Sequence, residues 1–254
     1  MQTDNSGYAF PAMTASVSVS AAAVRTAAVA ANPSSHRLPA NPRAVVNQLN
    51  LPCCVSTALG AAMEAMNPQW PSLAPLFHYY VTRFQNHGAD SDGFLFLIDA
   101  LFTLTRDGIS RKTLHPYPYT EDGASTKPSS EAFTDGAQRA LGRRAARLRF
   151  RQSEGPSRVV WIREQLLQNC PVILGIQLPA AYPNFLNTQF EWRDPNLPRS
   201  LSGHCVFAFG YDDSRNAFQI QDSRGETEFD RGCWWMGYSI VDSTNVKEAY
   251  CLIP

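Results

Sequence analysis

From Cys54 onward, apolar residues fall at Val55, Ala58, Leu59, Ala62, Met63 and Met66, the spacing of a helix face turned toward a core. This predicts a buried helix that starts at Cys54, with Pro52 suited to its entry. A second helix is predicted from about Pro75, turning Leu76, Phe77, Tyr80, Val81 and Phe84 inward. A third presents Phe94, Leu97, Ile98, Leu101 and Phe102 and is stopped by Gly108. Proline and glycine density between Pro116 and Pro128 predicts a loop crossing between two lobes, and a short helix follows around Val159 to Gln168. The pattern then turns to β, with strands at Val172 to Gln177, Cys205 to Tyr211, Ala217 to Asp222, Cys233 to Tyr238 and Glu248 to Ile253. Helices first and strands later predict an α+β chain of two lobes, whose junction is a common place for a site.

The chain has 254 residues, 44% of them hydrophobic, enough for a real core. Its 22 basic and 22 acidic residues cancel, so no overall field attracts nucleic acid or an anionic membrane, and a protein, peptide or small molecule is the expected partner. Apolar runs such as Pro171 to Leu178 fall well short of the roughly 20 residues of a membrane span. A soluble protein, monomeric, is expected. Residues 1–42, rich in Ala, Ser and Pro, predict a flexible leader, and 43–254 the folded domain. The leader lacks a basic n-region and Arg25 interrupts it, unlike a standard secretory signal. Its composition resembles leaders of bacterial effectors delivered by a dedicated secretion machine into a reducing host cytoplasm; an inhibitory pro-segment is the alternative. None of the six cysteines shows metal-site spacing, so no metal is expected.

Candidate chemistry concentrates where Gln48-Leu49-Asn50-Leu51-Pro52-Cys53-Cys54 enters the first helix. A thiol at a helix N-terminus faces the positive end of the dipole, which favours thiolate. Backbone N–H groups there lack helical partners, so Cys54 N–H can bind an oxyanion, with Gln48 as a second donor. A thiol nucleophile needs a base. Of five histidines, His36 lies in the leader, His78 in a helix, His87 in a polar loop and His115 beside Pro116, whereas His204 opens a strand. That strand and the one ending at Asp222 predict a hairpin. A three-residue or five-residue loop places His204 and Asp222 on one face, while a four-residue loop places them on opposite faces. On one face, Asp222 would orient the imidazole and stabilise its charged form.

These residues resemble the papain-like cysteine peptidases, especially bacterial members without the usual disulfides, from about Val45 to the C-terminus. Gln48 lies six residues before Cys54 (54 − 48), Gly203-His204 follows 150 residues later (204 − 54), and Asp222-Ser223-Arg224-Gly225 stands where the family has Asn-Ser-Trp-Gly. The resemblance implies a two-lobe papain-like fold over 43–254, with a helical N-terminal lobe, an antiparallel β-sheet or barrel C-terminal lobe, and an active site in the cleft between them. It implies an endopeptidase using Cys54, His204 and Asp222, an oxyanion hole of Cys54 and Gln48, no cofactor, and Asp92, Gly93, Ser202 and Gly203 along the substrate. The same groups could serve deamidation or transglutamination of a protein target, or an inactive module could hold a peptide. The chain departs from the family in three ways. Leu51, Cys53 and Val55 break the local cysteine motif. Asp222 adds a charge that strengthens the imidazolium and moves the pH optimum upward. Arg224 replaces a shielding tryptophan, which predicts a wetter or salt-bridged His204–Asp222 pair.

Overall fold

The computed structural model describes residues 8–9, 33–39, 44–86, 93–142, 145–147, 157–182 and 190–253. Helix α1, Cys54–Met66, is buried on almost every face, from Cys54 to Gly60 and from Ala62 to Ala65. Small residues let its neighbours close in: a Cβ on Gly60 would lie 3.1 Å from Cγ of Pro75, where α2, Pro75–Asn86, begins. His78 of α2 ties α1 to α3, Leu97–Arg106, for its Nδ1 lies 2.9 Å from Ser56 Oγ and its Nε2 2.9 Å from Ala100 O. A carbonyl can only accept, so Nε2 carries the proton and Nδ1 accepts from the serine. Burial pushes this imidazole down to about 4 despite the Ala100 bond and the Asp107 charge, which raise it. His78 is thus a neutral packing residue.

Two helical expectations are corrected. The inward face of α3 is Leu97, Ala100, Leu101 and Leu104; Phe94 precedes the helix, and Phe102 is 48% exposed. Phe84 of α2 is 60% exposed and stacks on Tyr80 instead of entering the core. The apolar stripe overran the contact because α2 is covered from another side, burying His78, Thr82 and Arg83. The predicted crossing loop holds helix α4, Glu121–Ser125, and is followed by α5, Ser130–Ala137. Their caps were readable: Thr120 Oγ1 accepts from Gly123 N, and Ser129 Oγ from Ala132 N. Arg83 reaches across to α4, donating to Ala124 O at 2.6 Å.

The second half is a largely antiparallel sheet. Its long strands are β5 (Val172–Pro179), β7 (Arg199–Asp212), β8 (Ala217–Gln221), β9 (Cys233–Gly237) and β10 (Val246–Leu252). With β4 (Ala145–Arg147) and β6 (Glu191–Trp192) at the ends, the order is β4-β10-β5-β7-β8-β9-β6. Helix α1 packs on β7, α6 (Arg158–Leu167) also lies against β7, and α7 (Tyr238–Val241) follows β9. This is an α+β fold. Among the described residues no cysteine is joined in a disulfide and no helix is long and apolar enough to cross a membrane.

Strand β7 begins at Arg199, so His204 sits within it instead of opening it. Its first residues are polar and gave no β signal; they are strand because Arg199 pairs with Pro179 and Gly203 with Gln177. The expected boundary at residue 42 does not mark the edge of the fold either. Strand β2, Ser35–Arg37, pairs with Gly210 to Asp212 of β7, and Leu38 is buried. A three-residue polar strand has no apolar period for a sequence to show. Strand β1, Tyr8–Ala9, runs parallel to β3, Leu95–Phe96, and antiparallel to β7, with Tyr8 opposite Gly203.

Candidate active site

The relation between His204 and Asp222 depends on how β7 and β8 pair. Asp212 pairs with Ala217, leaving four turn residues, 213–216, the length that alone would put His204 and Asp222 on opposite faces. The register shifts between Ala208 and Gly210, so Phe209 is an extra residue and the parity reverses. Phe207 then pairs with Gln221, and His204 comes to the same side as Asp222. The bulge is held from the N-terminal segment: Leu38 N donates to Phe209 O at 2.8 Å, and Arg37 of β2 pairs with Gly210. Gly210 has no room for a side chain, since a Cβ there would lie 2.9 Å from His36 O.

His204 Nε2 donates to Asp222 Oδ1 at 2.8 Å, with both side chains fully buried. The same oxygen accepts Ser223 N–H at 2.7 Å. Oδ2 accepts the Tyr182 hydroxyl at 2.7 Å and the Trp234 indole N–H at 2.8 Å. Four donors therefore converge on one carboxylate. The expectation of a wet or salt-bridged pair is corrected: Arg224 does not bridge it, and the shielding tryptophan is replaced by side chains distant in sequence. The Tyr182 ring lies 6.1 Å from the imidazole, with Phe229 5.8 Å and Phe190 6.1 Å from Tyr182.

Burial would lower the His204 pKa, but the Asp222 charge and hydrogen bond, helped by Cys54, outweigh it and raise the imidazole to about 9. Burial would conversely raise Asp222, yet His204, Tyr182 and Ser223 hold it well below the usual carboxylate range. The pair favours imidazolium and carboxylate. His204 Nδ1 is buried with no hydrogen-bond partner among the described residues, while Cys54 is near enough to contribute to the raised imidazole.

Cys54 is the first residue of α1 and is fully buried. Cys53, the cap, makes no side-chain capping bond, and no acidic residue occupies the first turn, so no carboxylate offsets the positive helix end. Gln48 is held beside the Asp222 segment: its N–H donates to Ser223 O at 2.9 Å, and Gly225 N donates to Val46 O at 3.1 Å. The Gln48 Oε1 accepts from Ser223 Oγ, and Nε2 donates one hydrogen to Leu51 O at 2.8 Å. Nε2 carries a second amide hydrogen beyond this bond. Gly225, at φ +81°, suits this crossing, since a Cβ would lie 3.1 Å from Cβ of Asn47.

Among the proposed substrate positions, Asp92 lies outside the described residues. Gly93 O accepts from Tyr79 Oη at 3.0 Å, and both Ser202 N and O bond Ser200 Oγ. Gly203 pairs with Gln177 on one side and Tyr8 on the other. Among the remaining histidines, His36 lies in β2, and His115 packs edge-on against Phe77 and Tyr117. Burial pushes His115 down to about 4. His87 is outside the described residues. Sequence reasoning missed Tyr182 and Trp234; a buried tyrosine hydroxyl or indole N–H needs a partner, but only the fold shows which.

No protein-family model matches the chain. It is 23% identical over 219 residues, 82% of its length and 68% of the relative, to an uncharacterized peptidase C1-like protein of Acanthamoeba polyphaga mimivirus. Among solved structures it is similar to xylellain, a cysteine protease from Xylella fastidiosa, with a TM-score of 0.83 and 22% identity over 100% of this chain and 98% of that one. It is also similar to the bromelain protease of Ananas comosus, with a TM-score of 0.62 and 14% identity, covering 87% of this chain and 100% of that one. The chain has the papain-like fold.

Proposed function

We propose that this papain-fold chain is a cysteine endopeptidase with Cys54 as nucleophile, His204 as general acid and base, Asp222 as the residue that orients it, and Gln48 with Cys54 N–H as oxyanion donors. The observation that carries the reading is the dry His204–Asp222 contact of 2.8 Å, with the other ring nitrogen unpartnered and Cys54 nearby at an uncapped helix start. In the first step the Cys54 thiolate adds to the scissile carbonyl carbon, and the oxygen becomes an oxyanion facing Cys54 N–H and Gln48 Nε2. As the C–N bond breaks, imidazolium Nδ1 gives its proton to the leaving amine. Water then attacks the thioester while Nδ1 takes a proton, and the C–S bond breaks to restore the thiolate. Throughout, Asp222 stays ionised and holds Nε2–H.

Strand β1 supports a role for the leader at this site. Tyr8–Ala9 joins β3, two residues beyond Gly93, to Gly203, next to His204, and so occupies backbone positions that an extended peptide substrate would use. The leader is read as a segment that occludes the groove. The test of the enzyme is labelling by a peptidyl vinyl sulfone, mapped by mass spectrometry. Adduct at Cys54, absent in Cys54→Ala and strongly slowed in His204→Ala, is the expected result. Adduct at Cys53 instead, or an unreactive reduced chain, would sink the assignment.

A further inference from the structure

Arg224 stands where the resembled family carries a shielding tryptophan, yet the His204–Asp222 contact is fully buried. The cover comes from Tyr182, which follows β5, and from Trp234 of β9. Both are almost wholly buried, and both donate to Asp222 Oδ2, at 2.7 Å and 2.8 Å. Burial, then the neighbouring Asp222 charge, raises the Tyr182 hydroxyl well above its ordinary value, so it remains a donor. The half-buried Arg224 guanidinium lies 6.0 Å from the Tyr182 ring centroid, placing the displaced family position against the residue that covers the pair.

We propose that Tyr182 is a positioning residue of the catalytic pair, acting through Asp222 in two ways, an inference that rests on the cysteine-peptidase reading. Its hydroxyl, with the Trp234 N–H, pins Oδ2, so the carboxylate cannot rotate Oδ1 away from His204 without breaking bonds to two different segments. Its ring keeps water from the contact, and in the dry site the attraction between imidazolium and carboxylate is not screened. Here one tyrosine supplies both ring and donor, and Arg224 is accommodated beside it.

The two effects separate by substitution. Tyr182→Phe keeps the ring and removes the donor. It is expected to lower kcat by about tenfold, the scale of one hydrogen bond to a charged group, with KM little changed. Its alkaline limb should stay at or above that of the unmodified chain, because Asp222 shares its charge with one donor fewer. Tyr182→Ala admits water, and its alkaline limb should fall from about 9 toward 6.5 as the attraction is screened. The full chain and both variants are compared by the pH dependence of kcat/KM for peptide hydrolysis, with thermal melts confirming a folded state. A Tyr182→Phe variant with unchanged kcat, or a limb left in place by Tyr182→Ala, would overturn this inference alone. An unmodified chain whose Cys54 is not alkylated by iodoacetamide and that cleaves no peptide would overturn the peptidase reading and this one with it.

Discussion

Replacing Asp222 with asparagine, the residue carried by the resembled family, is expected to damage this chain, because its site is built for a carboxylate. Each Asp222 oxygen accepts two hydrogen bonds: from His204 and Ser223 on Oδ1, and from Tyr182 and Trp234 on Oδ2. An amide has one acceptor oxygen and one NH2. Turned toward Oδ2's partners, the NH2 meets the Trp234 indole N–H, which can only donate; turned the other way, it meets Ser223 N–H. Either orientation strands at least one buried donor, a cost of about 1–3 kcal/mol. The lost charge acts separately. His204 is raised from 6.5 to about 9 chiefly by Asp222 against burial, a difference worth about 3 kcal/mol. Without it, burial should carry the imidazole below 6.5. The alkaline limb of kcat/KM for peptide hydrolysis, which reports the imidazolium, should therefore fall from about 9 to below 6.5, and the urea midpoint should fall with it. A variant with its limb still near 9 and full stability would refute both parts of the reasoning.

Stability should peak near pH 6.5. His204, raised to about 9, contributes fully below its unfolded value of 6.5 and loses its contribution as pH rises through 9. His78, lowered to about 4, costs stability as pH falls from 6.5 through 4, because the unfolded chain then binds a proton the folded one refuses. The His204 branch spans about 3 kcal/mol, the acid branch is deepened by His115, also lowered to about 4, and a melting temperature flat from pH 4 to 9 would contradict both. Asp135 accepts from Arg111 N at 2.7 Å and Arg139 Nη1 at 2.6 Å, and Arg111, Arg139 and burial together leave its pKa at about 2. Asp135→Asn should therefore cost about 3 kcal/mol in urea unfolding, an effect absent if these cations are merely solvated. Deleting residues 1–31, which keeps β2 and Leu38, should raise kcat/KM on a peptide about tenfold or more, the equivalent of about 1.4 kcal/mol of occlusion. Unchanged kcat/KM would mean that β1 does not block the groove.

The sequence by itself determined the local and strongly periodic features. The apolar spacing from Val55 to Met63 can only be buried as a helix, so Cys54 at its start and Gln48 upstream were legible. So were the strands around Val172, Cys205, Ala217 and Cys233, whose β-branched and aromatic runs cover both faces of a buried sheet. What the sequence left open was parity. A four-residue turn and a bulge at Phe209 each shift the pairing by one residue, and only together do they set His204 beside Asp222. The bulge depends on β2, a polar segment whose hydrogen bonds to β7 come from sixteen or more residues before Cys54 (54 − 38) and leave no periodic trace. Phe84 and Phe102 failed for a related reason: hydrophobic spacing says that a face is apolar, not whether another element arrives to cover it. The four donors around Asp222 come from β5's exit, β7, β9 and the residue after Asp222 itself, positions that only chain folding brings within 3 Å. Tertiary structure decided that Asp222 is a buried carboxylate ringed by four donors, because buried donors must find acceptors wherever the fold places them.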